Sequence, residues 1–156
     1  MICNASMYRL LCDYPAISTP MMAAYRICKR RNVAGAPYWR VADFCGMDAA
    51  AVLSADADLT ALEWDGNEVM LDMADSIPVL LNAGLLLLYQ WKEQMTRDFP
   101  ETPFDILVSV DEGKDGVSPS VTLRFYAVRG GMHYVEPTQE AMDGFAQPVL
   151  IQQVNQ

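Results

Sequence analysis

Apolar positions in the first third of the chain recur at helical spacing. Met7, Leu10, Leu11 and Tyr14 share one helical face, and Pro15 ends the run. Thr19 then caps a second helix with Pro20 at its first position, where the missing N–H costs nothing. Met21, Met22, Tyr25 and Cys28 supply its apolar stripe. Lys29, Arg30 and Arg31 close it, positive charge meeting the negative end of the helix dipole, and Gly35 stops it. A third, short helix is expected from Tyr38 to Phe44 with Gly46 as its stop, and the Ala-rich stretch from Met47 to Ala55 reads as helical.

Between Thr60 and Met73 the pattern fits two elements. Asp65-Gly66 is a strong hairpin turn, because both residues tolerate positive φ. Leu62 and Trp64 alternate with Glu63 on one side of it, and Val69, Leu71 and Met73 with Glu68 and Asp72 on the other. A helix also fits, with Leu59, Leu62, Val69 and Met73 on one face, but Gly66 and Asn67 inside it would cost about 1 kcal/mol. The hairpin is therefore the favoured reading, and in either case the acids gather on one side.

Ser76 caps a long helix that runs to about Thr96, with Pro78 in its first turn and Leu80, Leu81, Leu85 and Leu88 buried. The last third alternates instead. Phe104 to Asp111 and Val121 to Val128 each have period two, separated by a Gly-rich loop from Glu112 to Ser118. Gly130-Gly131 turns into Met132 to Val135, completing a three-stranded meander. Pro137-Thr138 starts a short helix that Gly144 ends, and Val149 to Val154 reads equally as a final strand or a frayed tail. The expected fold is a single α+β domain over residues 1–156. N-terminal helices and a long central helix pack on a C-terminal antiparallel meander, and a small acidic hairpin projects.

Charge changes this picture. From Val41 to Trp91 the chain has no Lys or Arg in 51 residues but nine acids, whereas Met1 to Arg40 holds six bases and one acid. A section of one sign makes a field that draws in a cationic partner and speeds encounter. The net charge of −9 argues against nucleic acid and against an anionic membrane surface, both of which need Lys and Arg. The longest apolar run, Ile77 to Tyr89, has 13 residues and is too short to cross a hydrocarbon layer of about 30 Å as a helix. Met1 to Ala16 lacks the basic and apolar regions of a signal peptide, so the expected location is the cytoplasm.

Candidate chemistry is sparse. Cys3, Cys12, Cys28 and Cys45 are spaced too widely for a zinc site and read as small buried hydrophobes in a reducing compartment. Asp111 to Gly116 fails as a calcium loop, since its third position is Gly113 and its twelfth is Thr122. No Gly-x-Ser-x-Gly elbow accompanies the lone His133, which reads as a satisfied or surface strand histidine. No metal, cofactor or catalytic residue is therefore expected.

Trp64 stands apart from the other aromatics, because Glu63 and Asp65 flank it. An aromatic ringed by carboxylates suits an anchor that meets Arg or Lys on a partner. The expected partner-binding set is Glu63, Trp64, Asp65, Glu68 and Asp72, joined by Asp111, Glu112 and Asp115. The overall profile is similar to that of immunity proteins of bacterial toxin systems, being small, acidic and poor in catalytic motifs. This resemblance is one of profile, shared with antitoxins, nucleic-acid mimics and adaptors. It implies a non-enzymatic protein that masks a basic, nuclease-like toxin domain. Two other readings are a small enzyme using carboxylates and His133, and a structural or adaptor subunit. The pattern specifies no oligomeric state.

Overall fold

A computed structural model of the chain describes residues 1–14, 25–42, 55–72, 76–114 and 116–156. Among these residues eleven elements follow in order: β1 (Ile2–Cys3), α1 (Ala5–Asp13), β2 (Ile27–Arg31), β3 (Pro37–Val41), α2 (Leu59–Gly66), β4 (Val69–Leu71), α3 (Ile77–Asp98), β5 (Phe104–Asp111), β6 (Ser120–Ala127), α4 (Gln139–Asp143) and β7 (Val149–Val154). The fold is α+β. Five antiparallel strands form a sheet in the order β1-β7-β5-β6-β4, and β2 pairs with β3 in a separate ribbon.

The alternation of β5 and β6 turns Phe104, Ile106, Val108 and Val110, with Val121, Leu123, Phe125 and Ala127, to one side of the sheet, where all eight are buried. The long helix α3 covers that side. Its inward stripe is Leu80, Leu81, Ala83, Gly84, Leu87, Leu88, Trp91 and Met95, while Leu85 is only half-buried and Leu86 is exposed. Each fully buried Leu or Phe here contributes about 2 kcal/mol of hydrophobic stabilisation. Closeness of approach depends on Gly84: a Cβ there would stand 2.7 Å from Val121 Cγ1. Val121 is β-branched and pinned in the strand, so it cannot swing aside. Gly84→Val is expected to cost about 2 kcal/mol by overpacking, despite better helix propensity. A urea unfolding midpoint unchanged from wild type would show that α3 can lift off the sheet freely.

Several local expectations give way to tertiary structure. Residues 27–31 form strand β2, not the end of a helix, with Ile27 opposite Val41 and Arg31 opposite Pro37. The turn between them is built by Asn32, whose Oδ1 accepts from Ala34 and Ala36 N–H, and by Gly35 at φ +80°. Lys29, Arg30 and Arg31 thus lie on an outer strand. The helix expected from Tyr38 to Phe44 is strand β3 over its described part. Tyr38, Trp39, Arg40 and Val41 are all buried, so no period-two alternation marks it. Tyr25 and Arg26 of the second expected helix are not helical, and its residues up to 24, like all but Ala55 of the one from Met47 to Ala55, lie outside the described residues.

The acidic hairpin is instead helix α2. Asp58 caps it, accepting from Thr60 and Ala61 N–H, and Asn67 ends it. Gly66 closes the helix rather than opening a turn, because the Arg40 guanidinium fills the space a Cβ would need: Nη1 would lie 1.5 Å from it. Only the second half of the expected hairpin is a strand, β4, which pairs with β6. Similarly, 132–135 is not the third sheet strand; it holds one isolated bridge, Met132 to Arg129. The edge of β6 where a third meander strand would pair is taken by β4, and β7 joins on the other side of β5, pairing with it from Phe104–Val154 to Ser109–Val149. Helix α1 follows its apolar pattern, with Asn4 capping through Met7 N–H. Helix α4 is capped by Thr138 as its sequence implies.

Candidate partner-binding face

The side of the sheet away from α3 receives the alternate residues of each strand. Leu107, Val149 and Ile151 are covered there by Met142 of α4, with Ile2, Val135 and Phe145 packed alongside. Asp105 and Tyr126 on the same face are also fully buried, and toward β4 the surface is only partly covered. Three rungs run across β4, β6 and β5 on it. Val69 pairs with Leu123 and Leu107 with Arg124, which sets Glu68 beside Arg124 and Leu107. Met70, Thr122 and Ser109 make the second rung. One residue beyond the Leu71–Val121 pair, Asp72 comes level with Ser120 and Asp111. The rungs are spaced two residues apart, about 7 Å.

A groove of about 370 Å³ lies over these rungs and includes Trp64, Glu68, Asp111 and Arg124 in its wall. An adjoining hollow of about 390 Å³ shares Asp111 and adds Glu112. Trp64 reaches the groove from α2. Tyr134 stacks on its ring at 4.6 Å and 20°, Tyr126 meets it edge-on at 5.8 Å, and the Arg124 guanidinium lies 5.1 Å from its centroid. Arg124 also donates from Nη2 to Glu68 Oε2.

The expected partner-binding residues therefore separate. Trp64, Glu68 and Asp111 share the groove, Glu112 borders the hollow beside it, and Asp72 stands exposed at the same end of the sheet. Asp65 is exposed on α2, and Asp115 lies outside the described residues. Glu63 must be removed from the set, because it is fully buried. Its Oε1 accepts from Trp39 N–H at 2.9 Å and from Arg129 Nη2 at 2.6 Å. Its Oε2 accepts from Ala127 N–H at 2.7 Å and from Arg129 Nη1 at 3.0 Å. The carboxylate ties β3 to the end of β6. Burial pushes its carboxyl above the usual range, against the downward pull of Arg129 and the two backbone donors. Asn67 repeats the tie nearby, donating from Nδ2 to Trp39 and Phe125 carbonyls and accepting from Val41 N–H.

Sequence reasoning passed over a second buried cluster. Asp105 is buried on β5, where its Oδ2 accepts from the Tyr126 hydroxyl at 2.9 Å and lies 2.6 Å from His133 Nδ1. Gln156 donates to Oδ1. A carboxylate only accepts, so Nδ1 carries the proton in this contact and Nε2 is left for another partner. His133 is thus a satisfied histidine, held in a loop rather than on a strand. The alternation of β5 and β6 puts Asp105 and Tyr126 on one face, which is the signal available beforehand; His133 joins them only through the loop's path.

The cysteines depart from expectation. Cys12 is exposed, Cys3 and Cys28 are half-buried, and these three form no disulfide; Cys45 lies outside the described residues. Among the described residues no group of three or more His, Cys, Asp or Glu is placed to hold a metal ion. No helix among them is long and apolar enough to cross a membrane. Compared with known proteins, the chain matches no family model, no curated protein and no solved structure.

Proposed function

We propose that this is an acidic binding protein that neutralises a basic protein partner in the cytoplasm, in the manner of an immunity protein or antitoxin acting on a nuclease-like toxin domain. The observation that carries this reading is the convergence of Trp64, Glu68 and Asp111 on one groove of the sheet face away from α3, with Asp72 and Glu112 nearby. Carboxylates at a groove rim steer a cationic surface and raise its rate of capture by about 10- to 1,000-fold. The apolar parts of Trp64, Met70 and Phe145 then supply desolvated contact that slows release.

The test is capture from the native host, with the wild type compared against the triple variant Asp72→Lys, Asp111→Lys, Glu112→Lys. The partner is expected to be basic and to lose its own activity in the complex. The variant should bind it at least about tenfold more slowly at low salt, with the difference shrinking at high salt. Equal association rates for the two proteins would remove this face from the interface. An acidic partner would end the proposal.

The Asp105–His133 contact favours a second reading, a small enzyme with His133 as general base, since a buried carboxylate orients the imidazole. Under the binding reading, His133→Ala leaves partner capture intact.

A further inference from the structure

The groove already holds a guanidinium. Arg124 projects from β6 between Glu68 and Trp64, donating to the one and lying over the ring of the other. Neither member of the ion pair is sealed in: the Arg124 side chain is 29% exposed and that of Glu68 39%. Trp64 is braced by Tyr134, so its ring stays in place whether or not a cation lies over it. The pair is set by cross-strand register, with Glu68 beside Arg124, and two rungs away the same face carries Asp72 and Asp111.

Resting on the reading of this face as a cation-docking surface, we propose that Arg124 is a built-in competitor. It occupies the position that a partner's arginine takes on Glu68 and Trp64, so docking proceeds by exchange of one guanidinium for another. The partner's first contacts are with Asp72 and Asp111 at the far rung, where no exchange is needed. A second arginine about 13 Å away along the partner then replaces Arg124, which swings out to solvent. The exchanged group is arginine rather than lysine. A planar guanidinium forks onto a carboxylate and lies flat on an indole at once, whereas an ammonium is a hydrated point charge that does neither as well. The exchange also makes docking selective. A lone surface lysine gains little from the Glu68 position while Arg124 holds it.

The experiment titrates nona-arginine and nona-lysine peptides into the wild type, Arg124→Gln and Arg124→Lys, following heat and Trp fluorescence, with thermal unfolding as the check on folding. Arg124→Gln is expected to bind nona-arginine about tenfold more tightly than the wild type, about 1.4 kcal/mol. Its gain for nona-lysine should be several-fold smaller. Arg124→Lys, which keeps the charge but replaces the planar guanidinium over Trp64 with a hydrated ammonium, should show an intermediate gain for nona-arginine and serves alone if the glutamine variant fails to fold. Equal gains for the two peptides mean that only net charge has changed and overturn the exchange. No gain in either variant also overturns it. In that case Asp72→Asn with Asp111→Asn decides the broader reading. If this double variant weakens nona-arginine binding to the wild-type background, the face still docks cations; if peptide binding is absent or unaffected, the docking reading fails and the exchange with it.

Discussion

Replacing Glu63 with glutamine is expected to destabilise the protein by about 3 kcal/mol, nearly as much as replacing it with alanine. The reason lies in the partners. All four groups around the carboxylate are donors: the N–H groups of Trp39 and Ala127 and both terminal nitrogens of Arg129. A glutamine keeps one acceptor oxygen but turns an NH2 group toward two of these donors, and it leaves the Arg129 guanidinium without its counter-charge. Shape alone therefore does not rescue the site. Arg129 is 31% exposed on its side chain and recovers some hydration, which keeps the cost at the lower end for a broken buried pair. Arg129 also donates to Thr60 Oγ1 and the Pro37 carbonyl, so its reorientation loosens α2 and β3 together. Urea unfolding of wild type, Glu63→Gln and Glu63→Ala measures this directly. A glutamine variant within 1 kcal/mol of wild type, about the net worth of a single hydrogen bond, would mean that the carboxylate's charge is not what binds the ribbon to the sheet.

The second large effect concerns Tyr126 and alkaline pH. Its hydroxyl donates to Asp105 and accepts from Tyr134 and Val135 N–H, at 3.0 and 3.2 Å. Burial pushes the phenol well above the ordinary tyrosine range, with the Asp105 charge adding to the rise and the two backbone donors opposing it. The folded phenol thus keeps its proton where an unfolded one, ionising near pH 10, loses it. An unfolded state that binds fewer protons makes stability fall as pH rises. The contribution of Tyr126 is accordingly complete below about pH 10 and is lost progressively above it. Tyr126→Phe should cost about 2 kcal/mol at neutral pH, from a buried carboxylate short of one donor and two N–H groups short of an acceptor. It should also flatten the alkaline decline. Denaturant midpoints across pH 8 to 11 test both parts, and an identical slope in the two proteins would contradict the assignment.

Much of the candidate face was legible from residue order. Alternation in 104–111 and 121–128 places Arg124 and Tyr126 opposite the core, and the acids of the basic-free section mark Glu68 and Asp72 as surface groups. Trp64 does border the groove, but not through the acidic flanks that singled it out: Glu63 is sealed in the interior, and the ring meets Tyr134, Tyr126 and Arg124. What residue order left open was which acids are used internally. Glu63 and Asp65 are two positions apart and chemically alike, yet one is sealed in the interior and the other faces solvent. That difference comes from Arg129, 66 residues away in the chain.

Periodicity and punctuation alone determined the α+β class, helices α1, α3 and α4, the start of α4 at Thr138, and strands β5 and β6. Ser76 stands at the start of α3 as expected but makes no side-chain capping hydrogen bond, and the Asn4 cap of α1 was not marked by the pattern. Each of these elements buries one regular stripe or one alternating face, so its pattern is local. Tertiary structure decided β2, β3, α2 and the place of β7. Strand β3 is enclosed on both faces, so alternation cannot reveal it. In α2, Gly66 is accommodated because Arg40 packs where a side chain would be. Strand β7 is recognised only by its seat against β5. The chain carries the same residues in either case; long-range partners, which exist only once the sheet has formed, select among the local conformations those residues allow.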